Sequence, residues 1–135
     1  MSLATQIMVV DDEEAICEAV EAWFIKDGYR VEKAVSGFEA LERMAEAHFD
    51  VYFVDIKMPG MDGLELLGKL KEKQPDADVI MITAHGSIQT AVEAMKLGAC
   101  DYLCKPFDPD QLSLLMERVM ASKALRDENL ALREQ

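Results

Sequence analysis

Five short apolar runs divide the chain, and each is followed by apolar residues recurring at helical spacing. The runs are Gln6-Ile7-Met8-Val9-Val10, Arg30 to Ala34, Val51-Tyr52-Phe53-Val54-Asp55, Val79-Ile80-Met81-Ile82-Thr83, and Asp101-Tyr102-Leu103-Cys104. Continuous apolar runs of this length read as strands buried on both faces, and the second, alternating Val31, Lys33 and Val35, reads as less deeply buried. Between the runs the period changes. Ile16, Ala19, Val20, Trp23 and Phe24 predict one face of a first helix, stopped by Gly28. Ser36 and Glu39 form a capping-box pattern, opening a second helix with Phe38, Leu41, Met44 and Ala45 inward. His48, close behind, reads as a partner for the helix C-terminal dipole.

Leu64, Leu67 and Leu70 mark a third helix, closed by Pro75; Ser87 caps a fourth, carrying Ile88, Ala91, Val92 and Met95 and stopped by Gly98. Asp108, Pro109 and Gln111 open a fifth, whose Leu112, Leu115, Met116 and Val119 are expected to pack on a sheet. Strand and helix thus alternate five times, which predicts an α/β domain: a doubly wound parallel sheet with helices on both faces.

Composition narrows the class. The 135 residues suffice for one domain, and with 50% hydrophobic residues the chain is globular. No apolar run approaches the roughly 20 residues of a membrane span. Met1-Ser2-Leu3-Ala4-Thr5 lacks the basic and apolar regions of a signal peptide and is compatible with a cloning remnant. Fourteen basic against 26 acidic residues, a net charge of −12, argue against direct nucleic-acid binding, which needs clustered Lys and Arg. Cys17, Cys100 and Cys104 are an odd set without CxxC spacing, so neither a zinc site nor a disulfide framework is expected. They read as ordinary buried residues of a protein in a reduced, cytoplasmic setting.

The candidate chemistry lies where the runs end. The first stops at Asp11-Asp12-Glu13-Glu14, the third at Asp55, the fourth at Thr83, and the fifth at Lys105. Each has a plain structural explanation: acids in a first helical turn, a turn aspartate, a strand hydroxyl, a surface lysine. Together they point to one site, because right-handed crossovers bring all carboxyl ends of parallel strands to one edge. A strand order of 2-1-3-4-5 would make Asp12 and Asp55 neighbours. Like charges 4 Å apart repel by on the order of 4 kcal/mol at an effective dielectric of 20. A divalent cation removes that cost, and an all-oxygen ligand set suits Mg²⁺. Lys105 adds a point charge for a phosphate oxygen and Thr83 a hydroxyl donor. This is the equipment for phosphoryl transfer to Asp55, which as nucleophile would form an acyl phosphate, with the metal and Lys105 neutralising the transferring group.

The Asp11-Asp12 pair, Asp55 with Lys57-Met58-Pro59-Gly60-Met61-Asp62-Gly63, Thr83-Ala84, and Lys105-Pro106-Phe107 resemble the receiver domain of two-component response regulators over residues 5–121. The 2-1-3-4-5 order belongs to that family and is carried over with the resemblance. The resemblance implies that Asp55 accepts a phosphoryl group from a sensor histidine kinase, without an external turnover substrate. It implies Mg²⁺ held by Asp12, Asp55 and the main-chain carbonyl of Lys57, with Asp11 acting through water, and a cis peptide between Lys105 and Pro106. It further implies a switch in which Thr83 is drawn to the phosphate and Tyr102 turns inward behind it. The surface of the fourth helix, fifth strand and fifth helix changes with them. Moving such a switch from 1:99 to 99:1 takes about 5.5 kcal/mol, whereas one neutral hydrogen bond contributes about 1 kcal/mol. Thr83 must therefore act with Lys105, the metal and Tyr102, or the switch is partial. Lys57 and His85, two residues after Asp55 and Thr83, are the positions that would tune dephosphorylation by screening water.

The last helix runs past the core. Residues 110–134 would span about 37 Å at 1.5 Å per residue. Leu125, Asn129 and Leu132 fit positions d, a and d of a heptad, the alternative being a solvated helix end. The expected organisation is a receiver domain over 1–121 and the start of a helical linker over 122–135. That tail, and residues 84–99, resemble sigma-54-dependent enhancer-binding activators, in which an ATPase and a DNA-binding domain follow. The chain has neither a GxxxxGK[ST] motif nor a basic helix-turn-helix pattern. It is therefore expected to be a piece of a longer transcriptional regulator, the alternative being a stand-alone receiver, with homodimerisation through the last helix or through the surface of the fourth helix, fifth strand and fifth helix. Three rivals fare worse. A haloacid-dehalogenase-type phosphatase would have Asp where Lys57 stands. An FMN carrier would have a Ser/Thr-rich loop in place of Asp11-Asp12-Glu13-Glu14. A purely structural dimerisation module would need neither Thr83 nor Lys105.

Overall fold

The computed structural model describes residues 5–84 and 88–134, apart from the side chains of 88 and 129–134. Its elements, in chain order, are β1 (Gln6–Val10), α1 (Glu14–Lys26), β2 (Arg30–Ala34), α2 (Gly37–Glu46), β3 (Val51–Asp55), α3 (Gly63–Lys73), β4 (Asp78–Thr83), α4 (Ile88–Lys96), β5 (Asp101–Cys104) and α5 (Pro109–Glu134). The five strands pair in parallel in the order β2-β1-β3-β4-β5, as expected. The order in which strands are added to the sheet reverses between β1 and β3, which creates a crevice beyond their carboxyl ends.

Strand alternation sorts the core into two layers. Met8, Val10, Tyr52, Val54, Val79 and Met81 point to one face and meet α2, α3 and α4. Ile7, Val9, Val51, Phe53, Ile80 and Ile82 point to the other and meet α1 and α5. Both faces of β3 are covered, which is why its run is unbroken by polar residues. Leu112, Leu115, Met116 and Val119 pack inward from α5.

The helix starts have the expected chemistry. The Glu39 amide donates to Ser36 Oγ at 3.1 Å, and Asp108 and Gln111 cap each other reciprocally at 2.9 Å. Asp62 is an additional cap, its Oδ1 accepting from the Glu65 amide at 2.8 Å. The Ser87 cap lies outside the described residues.

Several inward assignments change. In α1 the buried residues are Cys17, Val20 and Phe24, while Ala19 is exposed. In α2, Ala40 is buried and Leu41 and Met44 partly so, but Phe38 is 60% exposed and Ala45 also faces out. In α3, Leu66 joins Leu67 and Leu70, and Leu64 sits at the margin. In α4 the core contact is Ala94, with Val92 and Met95 turned to solvent. Among the described side chains of α4, the small Ala94 is the fully buried one, and Val92 and Met95 look away. Val35 falls after β2 and is exposed. His48 lies beyond α2, with its Nε2 3.4 Å from Asp50 Oδ1, so it serves the entry to β3 rather than a helix end. Cys100 and Cys104 are exposed, leaving Cys17 as the buried cysteine. No described helix is long and apolar enough to cross a membrane.

Candidate functional site

Pairing of Val10 with Val54 sets the ends of β1 and β3 level, so Asp11 and Asp55 leave the sheet side by side. Carboxylate oxygens of Asp11, Asp12 and Asp55 lie within 4.8 Å of one another. Asp11 is fully buried and Asp55 is 4% exposed, while Asp12 faces solvent. The Glu13 amide donates to Asp11 Oδ1 at 2.9 Å. Asp11 Oδ2 is ion-paired with Lys105 Nζ at 2.9 Å and, among the described residues, receives no well-directed hydrogen bond. The same ammonium is 3.7 Å from Asp55 Oδ2.

Lys105 reaches the crevice because β5 ends beside β4, and its amide donates to the Thr83 carbonyl at 2.7 Å. The peptide between Lys105 and Pro106 is cis. Thr83 closes β4 and is buried. The floor under Asp55 depends on Gly63. Its amide donates to the Ile56 carbonyl at 2.8 Å, and a Cβ there would overlap the Asp55 carbonyl oxygen and come within 2.6 Å of Ile56 Cα. The sequence reading missed this role, although Gly63 directly follows the Asp62 cap, where a strand-to-helix loop packs back on its strand.

Electrostatics follow from the geometry. Burial raises the Asp55 carboxyl to about 7, Asp11 and Asp12 push the same way, and Lys105 opposes them. Burial works against the Lys105 charge, but Asp11 and Asp55 outweigh it and hold its pKa above the ordinary lysine value. The crevice holds three carboxylates against one ammonium, and all three acids offer only oxygen. Such a donor set fits a hard divalent cation such as Mg²⁺. An activated carboxylate beside a cation site and a lysine can accept a phosphoryl group.

Asp11, Asp12, Asp55 and Lys105 therefore gather in one crevice, with Thr83 at the neighbouring strand end. The Lys57 side chain projects into solvent from the loop after β3. His85 lies outside the described residues. Tyr102 is 46% exposed and lines a surface hollow with Ala91, Val92, Met95 and Lys96.

The response regulator receiver domain family matches residues 7–117. The transcriptional regulatory protein ZraR of Klebsiella oxytoca is 43% identical over 121 residues, covering 90% of this chain and 27% of that protein. Among solved structures, NtrX from Brucella abortus superposes with a TM-score of 0.91 at 36% identity, over 96% of this chain and 30% of that one. The chemotaxis protein CheY4 of Vibrio cholerae gives 0.83 at 32% identity, over 87% of this chain and 99% of its own. The chain thus spans about a quarter of the length of the curated relatives it matches.

Proposed function

Because this chain belongs to the response regulator receiver domain family, we propose that it takes a phosphoryl group from a sensor histidine kinase onto Asp55 and so regulates an output, transcription in the longer protein. The observation that carries this reading is the crevice itself: a buried Asp55 carboxylate 3.7 Å from Lys105 and next to Asp11 and Asp12.

In the transfer, an Asp55 oxygen attacks the phosphorus of a phosphohistidine. A P–O bond forms, the P–N bond breaks, and the kinase imidazole departs with the electron pair and takes up a proton. Lys105 pairs with Asp11 before transfer and can turn to a phosphoryl oxygen afterwards, since both acids are within its reach. Mg²⁺ held by Asp12, Asp55 and the Lys57 carbonyl, with Asp11 through water, would supply charge neutralisation. Thr83 offers its hydroxyl to the new phosphate. Tyr102, half-exposed beforehand, turns inward and alters the surface of α4, β5 and α5. Lys57 and His85 shield the acyl phosphate from water and set its lifetime. No external substrate is turned over.

Partners follow from the exposed surface. Val92, Met95 and Tyr102 are 45%, 46% and 46% exposed, an apolar face suited to a second copy of the chain. Leu114 and Leu125, 55% and 62% exposed on α5, offer the alternative seam, continued in sequence by Asn129 and Leu132. Residues 1–121 are the receiver and 122–135 the start of a linker to an output domain. A net charge of −12 disfavours direct nucleic-acid binding by this portion, no described helix is long and apolar enough to cross a membrane, and three cysteines without CxxC spacing suit a reduced, cytoplasmic setting. The test is intact mass after incubation with acetyl phosphate and Mg²⁺. One added phosphoryl group, absent in Asp55→Ala and without the metal, supports the proposal; no gain under any condition refutes it.

A further inference from the structure

Helix α5 continues without a break beyond Val119, its last core residue, and there it turns two basic side chains back onto the sheet. Arg126 Nη2 donates to both carboxylate oxygens of Asp78, at 3.0 and 2.8 Å. Lys123 Nζ is 3.9 Å from Asp50 Oδ1. The two cations are three residues apart and so share one helix face. The two acids are neighbours as well: Asp50 immediately precedes Val51, and Val51 pairs with Asp78. Asp78 is 5% exposed, and Asp50 is further anchored by the Gln6 amide at 2.9 Å. A carboxylate buried to this degree is strongly unfavourable without a cation, and residue 126 supplies one. Leu125 lies between the two cations in sequence and is 62% exposed, on the side away from the sheet.

We infer that residues 122–128 form a clasp. The outgoing helix is fastened by Lys123–Asp50 and Arg126–Asp78 to the entry ends of β3 and β4. These are the two strands whose exit ends carry Asp55 and Thr83. The clasp sets the direction in which the helix leaves the domain and turns Leu125 outward. A shift of either strand therefore reaches the helix directly, through a charged contact at its far end. This holds whether or not Asp55 accepts phosphate.

The test is amide hydrogen exchange at residues 122–128, with thermal unfolding, on the whole chain and on Arg126→Ala, Asp78→Asn and the double variant. Arg126→Ala should exchange about tenfold faster over 122–128 and melt at lower temperature. The double variant should recover melting temperature, because the buried charge is gone, while exchange stays fast, because the clasp is open. If Arg126→Ala does not fold, Asp78→Asn opens the same contact without burying an unpaired charge and should show the fast exchange. Unchanged exchange in a folded single variant would overturn the clasp. So would recovered protection in the double variant, since it would make the loosening a by-product of general instability.

Discussion

Lys105 sits nearer to Asp11 than to Asp55, at 2.9 Å against 3.7 Å. The lysine thus rests on Asp11 and leaves the Asp55 oxygen only partly neutralised. Transfer of a phosphoryl group would give the ammonium a stronger partner on the Asp55 side. Lys105→Ala should therefore lower the rate of phosphorylation by acetyl phosphate by on the order of a hundredfold, the usual effect of losing one preorganised charge at a reacting centre. An unchanged rate, read by intact mass over time, would remove Lys105 from the chemistry.

The pH dependence of stability has a definite sign. Asp55 is raised to about 7 in the folded chain, above its ordinary value of 3.8. Between those values the unfolded chain has released its proton and the folded chain still holds it. Folding stability in EDTA should therefore fall as pH rises from about 4 to 7, by up to roughly 1.4 kcal/mol per pH unit. Asp55→Asn should flatten that slope and be more stable than the parent at pH 7. Urea titrations at several pH values check this, and a slope equal in both proteins would contradict the assignment.

Magnesium should reverse the same penalty. At pH 7.5, Mg²⁺ at about a hundred times its dissociation constant stabilises by about 2.7 kcal/mol, a rise of several degrees in melting temperature. Asp12→Ala and Asp55→Asn should each lose most of that gain, while Asp76→Ala, exposed at the far edge of the sheet, should keep it. A full Mg²⁺ response in Asp12→Ala would exclude Asp12 from the cation site.

Two glycines of the β3–α3 region should respond in opposite directions to alanine. At Gly63 a methyl group would collide with the Asp55 carbonyl, and the backbone must shift beneath Asp55. A loss of about 2–4 kcal/mol and slower phosphorylation are expected. At Gly68, within α3, a Cβ meets nothing within 4 Å. Gly68→Ala should stabilise by about 0.5–1 kcal/mol and leave phosphorylation alone. Denaturant midpoints and acetyl phosphate kinetics on both variants provide the check.

The outward stripe of α4 makes a similar contrast. Met95→Ser should change monomer stability by less than about 0.5 kcal/mol, because Met95 is already 46% exposed. Ala94→Leu, at a fully buried position, should cost about 1–3 kcal/mol by overpacking. Equal effects would mean that α4 is rotated from the orientation described.

The sequence by itself determined the alternation of strands and helices and the residues standing at the strand ends. Those features are written in short-range patterns: apolar runs such as 51–54, caps such as Ser36 and Asp108, and the stop at Gly98, whose φ of 109° favours glycine. The family resemblance added the strand order, and with it the meeting of Asp11, Asp12, Asp55 and Lys105. The tertiary structure alone decided which apolar positions are covered. Helical spacing identifies a stripe but not what stands opposite, so Phe38, Val92 and Met95 read as core and lie exposed, as do Cys100 and Cys104, while Ala94 is buried. Only the tertiary structure joined Asp78 to Arg126, 48 residues apart, and put Lys105 closer to Asp11 than to Asp55. Charge interactions depend on distance and burial, and neither quantity exists until distant segments of the chain have been packed together.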